Sequence, residues 1–174
     1  MVRSFVGTIV GLKYRLKVQR YDDRVMKIVF LAEGRKLHFI CAYAPQLGCS
    51  AKSLEYFWDM LDNITAEASL EDYLIYSGDL NTSARKRSNE ESVRNLEYRT
   101  SHEAIVANTM FTKRESYIKT FYSTRGQTQI DYITIRRADR CAVLGCKALA
   151  YETVAPQHRL LLADLRIAAA KKIR

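Results

Sequence analysis

Tyr73-Leu74-Ile75-Tyr76-Ser77-Gly78-Asp79-Leu80-Asn81 is the stretch from which the rest of the chain can be read. Four apolar residues in a row, closed by glycine, predict a buried strand that stops where a carboxylate and an amide emerge. Asp and Asn are poor strand formers, so at a strand's end they serve either as ordinary Asx turn residues or as chemical groups. An acid and an amide two residues apart can face one small target such as a phosphate. The tetrapeptide alone does not separate these readings; the neighbouring segments do.

Working back from residue 73, Leu54, Phe57, Trp58, Leu61 and Ile64 recur at helical spacing. Ser50 or Ser53 is placed to cap that helix. The aromatic stripe reads as core packing. Before it, residues 24–31 and 36–44 are strand-like runs joined by Ala32-Glu33-Gly34-Arg35, a hairpin signature. Leu37, Phe39, Cys41 and Tyr43 share one face of the second run, which ends at Ala44-Pro45 because proline removes a ladder donor.

Working forward, Arg85-Lys86-Arg87 follows the Asn81 end at once. Ser88-x-x-Glu91 then reads as a capping box opening a second helix through about Ser101. Residues 104–108, 117–122 and 128–136 read as strands, with Gly126 at the turn between the last two. Residues 141–150 are a weaker strand candidate and 160–167 a strong one. Strands in neighbouring pairs, interrupted by helices, predict an α/β protein. Its architecture is a two-sheet mixed β-sandwich flanked by helices. Residues 1–167 form the expected domain and 168–174 a basic tail.

Composition bounds the class. The 174 residues suit one domain with a real core, and 48% hydrophobic against 27% charged residues is globular composition. No apolar run approaches a membrane span, and residues 4–12 read as a strand rather than a signal peptide. A net charge of +9 favours a polyanionic partner, most simply nucleic acid, against the bland reading of a generic basic surface. Arg85, Lys86 and Arg87 are the cluster expected to contact it. Four cysteines without Cys-x-x-Cys spacing suggest free thiols in a reducing compartment, hence an intracellular protein, nuclear or cytoplasmic.

Four strand ends carry polar groups able to converge: Tyr43, Asp79 with Asn81, Asp131 in Gln129-Ile130-Asp131-Tyr132, and His158 in Gln157-His158-Arg159. A carboxylate inside an apolar strand is costly unless paired, and the natural partner of Asp131 is a histidine. His158 enters the last strand from a loop. His38 lies on the strand face opposite Tyr43 and His102 near a helix end, both read as structural or solvated.

The ordered set Tyr43-Ala44-Pro45, Gly78-Asp79-Leu80-Asn81, Gln129-Ile130-Asp131-Tyr132 and Gln157-His158-Arg159 resembles the endonuclease/exonuclease/phosphatase superfamily. Within it, the chain is similar to the craniofacial development protein 2-like branch and to the endonuclease domains of non-LTR retrotransposons. Asp23-Arg24-Val25-Met26 and Ala107-Asn108-Thr109-Met110-Phe111 extend the likeness, which runs from about Gly7 to Ile167. The resemblance implies Mg²⁺-dependent hydrolysis of a phosphoester, with DNA as the partner. Carried over, Asp79 would bind the metal and activate or orient the attacking water, and Asn81 would bind a phosphate oxygen. Tyr43 would contact the phosphate or the departing oxygen. His158, held by Asp131, would stabilise phosphoryl charge.

The pattern departs from the family in three places. Residues 1–21 contain no Glu and no Asn to match the family's early metal-binding glutamate and its associated asparagine. Gln157 stands where the family's Ser-Asp-His ending has Asp, and neutral Gln is a far poorer Mg²⁺ ligand. The loop after Asn81 is shortened to residues 82–88. These losses fall on the metal-binding part. The expectation is therefore a truncated domain with weak or absent Mg²⁺ binding and impaired cleavage, or a non-catalytic binding module that keeps the fold. Missing early strands would also leave an open sheet edge, favouring self-association.

Overall fold

The computed structural model describes residues 14–46, 48–80, 97–124 and 126–169. Two sheets form the body. The first has six strands: β1 (Tyr14–Arg20), β2 (Val25–Ala32), β3 (Arg35–Tyr43), β4 (Tyr73–Asp79), β8 (Asp131–Arg136) and β5 (Ala104–Val106), in the order β1-β2-β3-β4-β8-β5. The second has four: β6 (Phe121–Ser123), β7 (Gly126–Thr128), β9 (Val143–Ala155) and β10 (His158–Leu165), in the order β7-β6-β10-β9. β3 and β4 run parallel and the other pairings are antiparallel, so the first sheet is mixed. This is the expected two-sheet α/β sandwich.

Parallel pairing needs a crossover, and helix α1 (Ala51–Ala66) supplies it between β3 and β4. Ser50 caps it, its hydroxyl accepting from Ser53 N at 3.2 Å. The five predicted stripe residues are all buried. They pack on Ile40, Ala42, Leu74 and Tyr76 from the first sheet. The alternate residues, Leu37, Tyr73, Ile75, Ile133 and Ile135, face the second sheet and meet Val143 and Cys146 there. β4 is therefore buried on both faces, which accounts for its unbroken apolar run.

The β2–β3 hairpin turns at Glu33 (φ 50°) and Gly34 (φ 77°), two successive left-handed residues as a two-residue turn of type I′ requires. Gly78 has a different task. A Cβ there would lie 1.6 Å from the Ala42 carbonyl oxygen, so only glycine lets β3 approach β4 this closely.

Several boundaries differ from the sequence reading. β1 was not expected: charged residues alternate along Tyr14–Arg20, and pairing with β2 makes it a strand. Residues 107–109 and 115–117 are 3₁₀ turns, so β5 stops at Val106 and β6 begins only at Phe121. The run expected over 128–136 breaks at Gln129-Ile130 into β7 and β8, where the chain crosses from one sheet to the other. β9 is longer than expected because it pairs with β10 in two stretches, from Val143 to Ala148 and again at Thr153 and Ala155. Residues 97–101 are helical, in keeping with the end of the second helix. The start of that helix, the strand expected over residues 4–12, most of the basic tail, Asn81 and the Arg85-Lys86-Arg87 cluster lie outside the described residues.

Candidate functional site

Strand register builds the site. Tyr43 on β3 is level with Asp79 on β4, and Asp79 is level with Asp131 on β8. Level residues on neighbouring strands share a face. Alternation from Ile75 and Ile133 puts this face toward the second sheet, at its rim. Backbone bonds clamp the row: Ala44 N donates to Asp79 O at 2.9 Å and Leu80 N to Ile130 O at 3.2 Å.

The second sheet delivers the histidine. β9 and β10 are joined by Pro156-Gln157, with Gln157 at φ 72°. Proline followed by a positive-φ residue is the order of a type II turn. His158 is the first residue beyond it. Its ring sits edge-on to Phe121, centroids 5.0 Å apart, and Nδ1 lies 3.2 and 3.1 Å from the two Asp131 carboxylate oxygens. The Asp131 carboxylate accepts from Nδ1, leaving Nε2 as the nitrogen the ring can present.

Both acids are buried, Asp79 5% and Asp131 7% exposed, while His158 is half-buried. The Asp131 hydrogen bond holds the His158 pKa above its ordinary value against the opposing effect of burial. The charges of Asp131 and Asp79 add to the rise.

One ligand atom each from Asp79, Asp131 and His158 lies within 4.8 Å of the others. Two carboxylates and an imidazole form a donor set that suits a small divalent cation. Both Asp131 oxygens are near the imidazole, so Asp79 is the carboxylate with the stronger claim on a metal.

Two residues missed by sequence reasoning hold Asp131 in place. Asn108, buried in the 3₁₀ turn after β5, donates from Nδ2 to Asp131 O (3.1 Å) and accepts from Ile133 N through Oδ1 (2.8 Å). Thr120, fully buried, accepts from both Ile130 N (3.2 Å) and Asp131 N (3.1 Å). Asn108 fell within a matched stretch, but nothing local marks either side chain as a brace. Gln46 was missed too: its Nε2 donates to the Tyr43 hydroxyl at 2.8 Å, which leaves the phenol proton free to point elsewhere.

The structure thus brings Tyr43, Asp79, Asp131 and His158 to one rim, and sets the other two histidines aside. His38 Nε2 lies 3.2 Å from Asp72, and His102 Nε2 lies 2.6 Å from Asp62. All four cysteines are free. No described helix is long and apolar enough to cross a membrane.

No protein-family profile and no curated protein matches the sequence. Solved structures do match. An AP endonuclease from Leishmania major aligns over 86% of this chain and 56% of its own, with TM-score 0.66 and 15% identity. The endonuclease domain of TRAS1, a telomere-specific non-LTR retrotransposon, aligns over 86% and 67%, with TM-score 0.67 and 12% identity. An AP endonuclease from Archaeoglobus fulgidus aligns over 88% and 72%, with TM-score 0.69 and 14% identity. At such identities the likeness is one of fold, and the chain spans little more than half the length of the Leishmania enzyme.

Proposed function

We propose that this chain, which carries the endonuclease/exonuclease/phosphatase fold, acts on backbone phosphates of DNA as a metal-dependent phosphodiesterase of the retrotransposon-endonuclease type, with weak cleavage. The observation that carries the reading is the row Tyr43–Asp79–Asp131 in strand register, closed by the His158–Asp131 pair. A histidine whose pKa is raised by its bond to Asp131, beside a second buried acid at the rim of a sandwich, supports a site for phosphoester chemistry.

In this reading Asp131 fixes the His158 ring and favours its protonated form, and the imidazolium holds a phosphoryl oxygen as charge builds. The Tyr43 hydroxyl, accepting from Gln46, donates its own proton toward the phosphate or the departing oxygen. Asp79 orients the attacking water and accepts its proton. A divalent cation held by Asp79 would supply Lewis-acid stabilisation of phosphoryl charge. Asn81 is assigned to a phosphate oxygen, and Arg85, Lys86 and Arg87 to the flanking backbone. Cleavage is weak because Asp131 is committed to His158 and Gln157 supplies no second carboxylate.

The test is nicking of supercoiled plasmid with Mg²⁺ or Mn²⁺, comparing the parent with Asp79→Ala and His158→Ala. Slow nicking lost in both variants supports catalysis. No nicking alongside salt-sensitive DNA binding would replace this reading with that of a non-catalytic module.

A further inference from the structure

Asn108, which grips Asp131, is itself held by two side chains that the site does not otherwise use. β5 ends at Val106, opposite Thr134 on β8, so the next polar groups of β8 lose that neighbour. The Asn108 carboxamide takes the missing strand's place. Its Nδ2 donates to Asp131 O at 3.1 Å and its Oδ1 accepts from Ile133 N at 2.8 Å. From the second sheet, the thiol of Cys146 on β9 lies 3.8 Å from the same Oδ1. Burial pushes the Cys146 pKa up to about 11, so the thiol keeps its proton and donates. From the loop after the 3₁₀ turn, Lys113 Nζ donates to the Asn108 carbonyl oxygen at 2.7 Å.

The two contacts act differently. Ile133 N–H and the Cys146 thiol both need an oxygen, so the carboxamide cannot turn end for end without setting donor against donor. Lys113 fixes the Asn108 backbone instead, on which the reach of the carboxamide depends. Its side chain is half-buried, and desolvation, opposed by the Cys146 thiol, holds the Lys113 pKa below the ordinary lysine value. A charge-assisted hydrogen bond in such surroundings is stronger than one at an exposed surface. The lysine stem passes the Phe111 ring, with Nζ 5.9 Å from its centroid, and Phe111 packs on the core between the sheets. The charges that raise His158 are those of Asp131 and Asp79, so Lys113 reaches the histidine through geometry rather than through its field.

We propose that Lys113 is a positioning residue for the site: by pinning the Asn108 carbonyl it sets where Asp131 stands, and through Asp131 the His158 ring. The activity readout rests on the function proposed above; the pinning is testable without it.

The experiment compares the full chain with Lys113→Met, which keeps the stem and removes the donor, and with Lys113→Arg, which restores a donor. Lys52→Met, on the exposed face of α1, is the control and is expected to match the parent. Hydrogen exchange is followed at Ile133 N–H, whose acceptor is Asn108 Oδ1. It is expected to speed up about tenfold in Lys113→Met relative to the β2–β3 hairpin amides, and to stay within about threefold of the parent in Lys113→Arg. In plasmid nicking, kcat is expected to fall about tenfold in Lys113→Met with KM unchanged, and to recover in Lys113→Arg. Exchange that rises equally at all amides, or not at Ile133, overturns the pinning. Ile133 loosened with kcat unchanged overturns the positioning role. A parent that never nicks plasmid loses the catalytic reading, and the exchange ratio then decides the pinning alone. If Lys113→Met fails to fold, Lys113→Gln, too short to reach the carbonyl, takes its place in both arms.

Discussion

The two ends of β4 carry the same chemical pair with opposite outcomes. At its start, His38 on β3 lies 3.2 Å from Asp72; at its finish, His158 lies 3.1 Å from Asp131. Burial pushes His38 below the ordinary histidine value, because desolvation outweighs the Asp72 hydrogen bond and Lys27 and Lys36 add repulsion. His158 moves up, because its hydrogen bond to Asp131 outweighs burial and the charges of Asp131 and Asp79 add to the rise, with no lysine opposing them. A histidine–aspartate pair is therefore not a functional signature in itself. Its surroundings decide in which direction the histidine's pKa moves.

The most damaging way to break the His158 end is Gly78→Val. With a Cβ 1.6 Å from Ala42 O, β3 and β4 must separate, and we expect a loss above ~3 kcal/mol in urea unfolding. Gly145→Ala, whose Cβ would sit at an ordinary 3.5 Å from Asp164 Oδ2, should stay within about 1 kcal/mol.

Next in size is the brace on Asp131. Asn108→Ala leaves Asp131 O and Ile133 N without their partner and should cost about 2–4 kcal/mol. Thr120→Val strands two N–H groups and should cost about 1–3 kcal/mol. Both variants should also release His158, seen as a fall of its pKa toward the ordinary value in an NMR titration. An unchanged His158 titration in a destabilised Thr120→Val chain would show that the brace supports the fold and not the site.

The smallest effects are in pH dependence, where the two ends should separate by sign. His158, raised in the folded chain, contributes stability fully present below about pH 6.5 and lost as pH rises through its folded value. His38, lowered in the folded chain, contributes stability present above about pH 6.5 and lost as pH falls through its folded value. Asp131→Asn should remove the first dependence and His38→Gln the second, read from unfolding midpoints between about pH 5 and 8. Identical profiles in the two variants would refute the contrast.

Much of the frame was legible in the residues. The β2–β3 hairpin, the Ser50 cap, the five-residue α1 stripe and the double burial of β4 all follow from local rules of spacing and turn chemistry. Tyr43, Asp79, Asp131 and His158 were legible as strand-end polar groups. β1 was missed although its signal was there: apolar Tyr14, Leu16 and Val18 alternate with Arg15, Lys17 and Gln19, the period of a half-buried strand. Asn108, Thr120 and Gln46 were not assigned roles either: an Asn in a turn, a Thr before a strand and a Gln after a proline have many ordinary uses.

The sequence by itself determined which segments become strands and which polar residues stand at their ends, since propensity, alternation and capping act over a few residues. Only the tertiary structure decided that Tyr43, Asp79 and Asp131 form one row and that His158 closes it from the other sheet. Register between strands far apart in the chain sets those distances. Charge state and hydrogen-bond demand follow from distance and burial, which no single segment encodes.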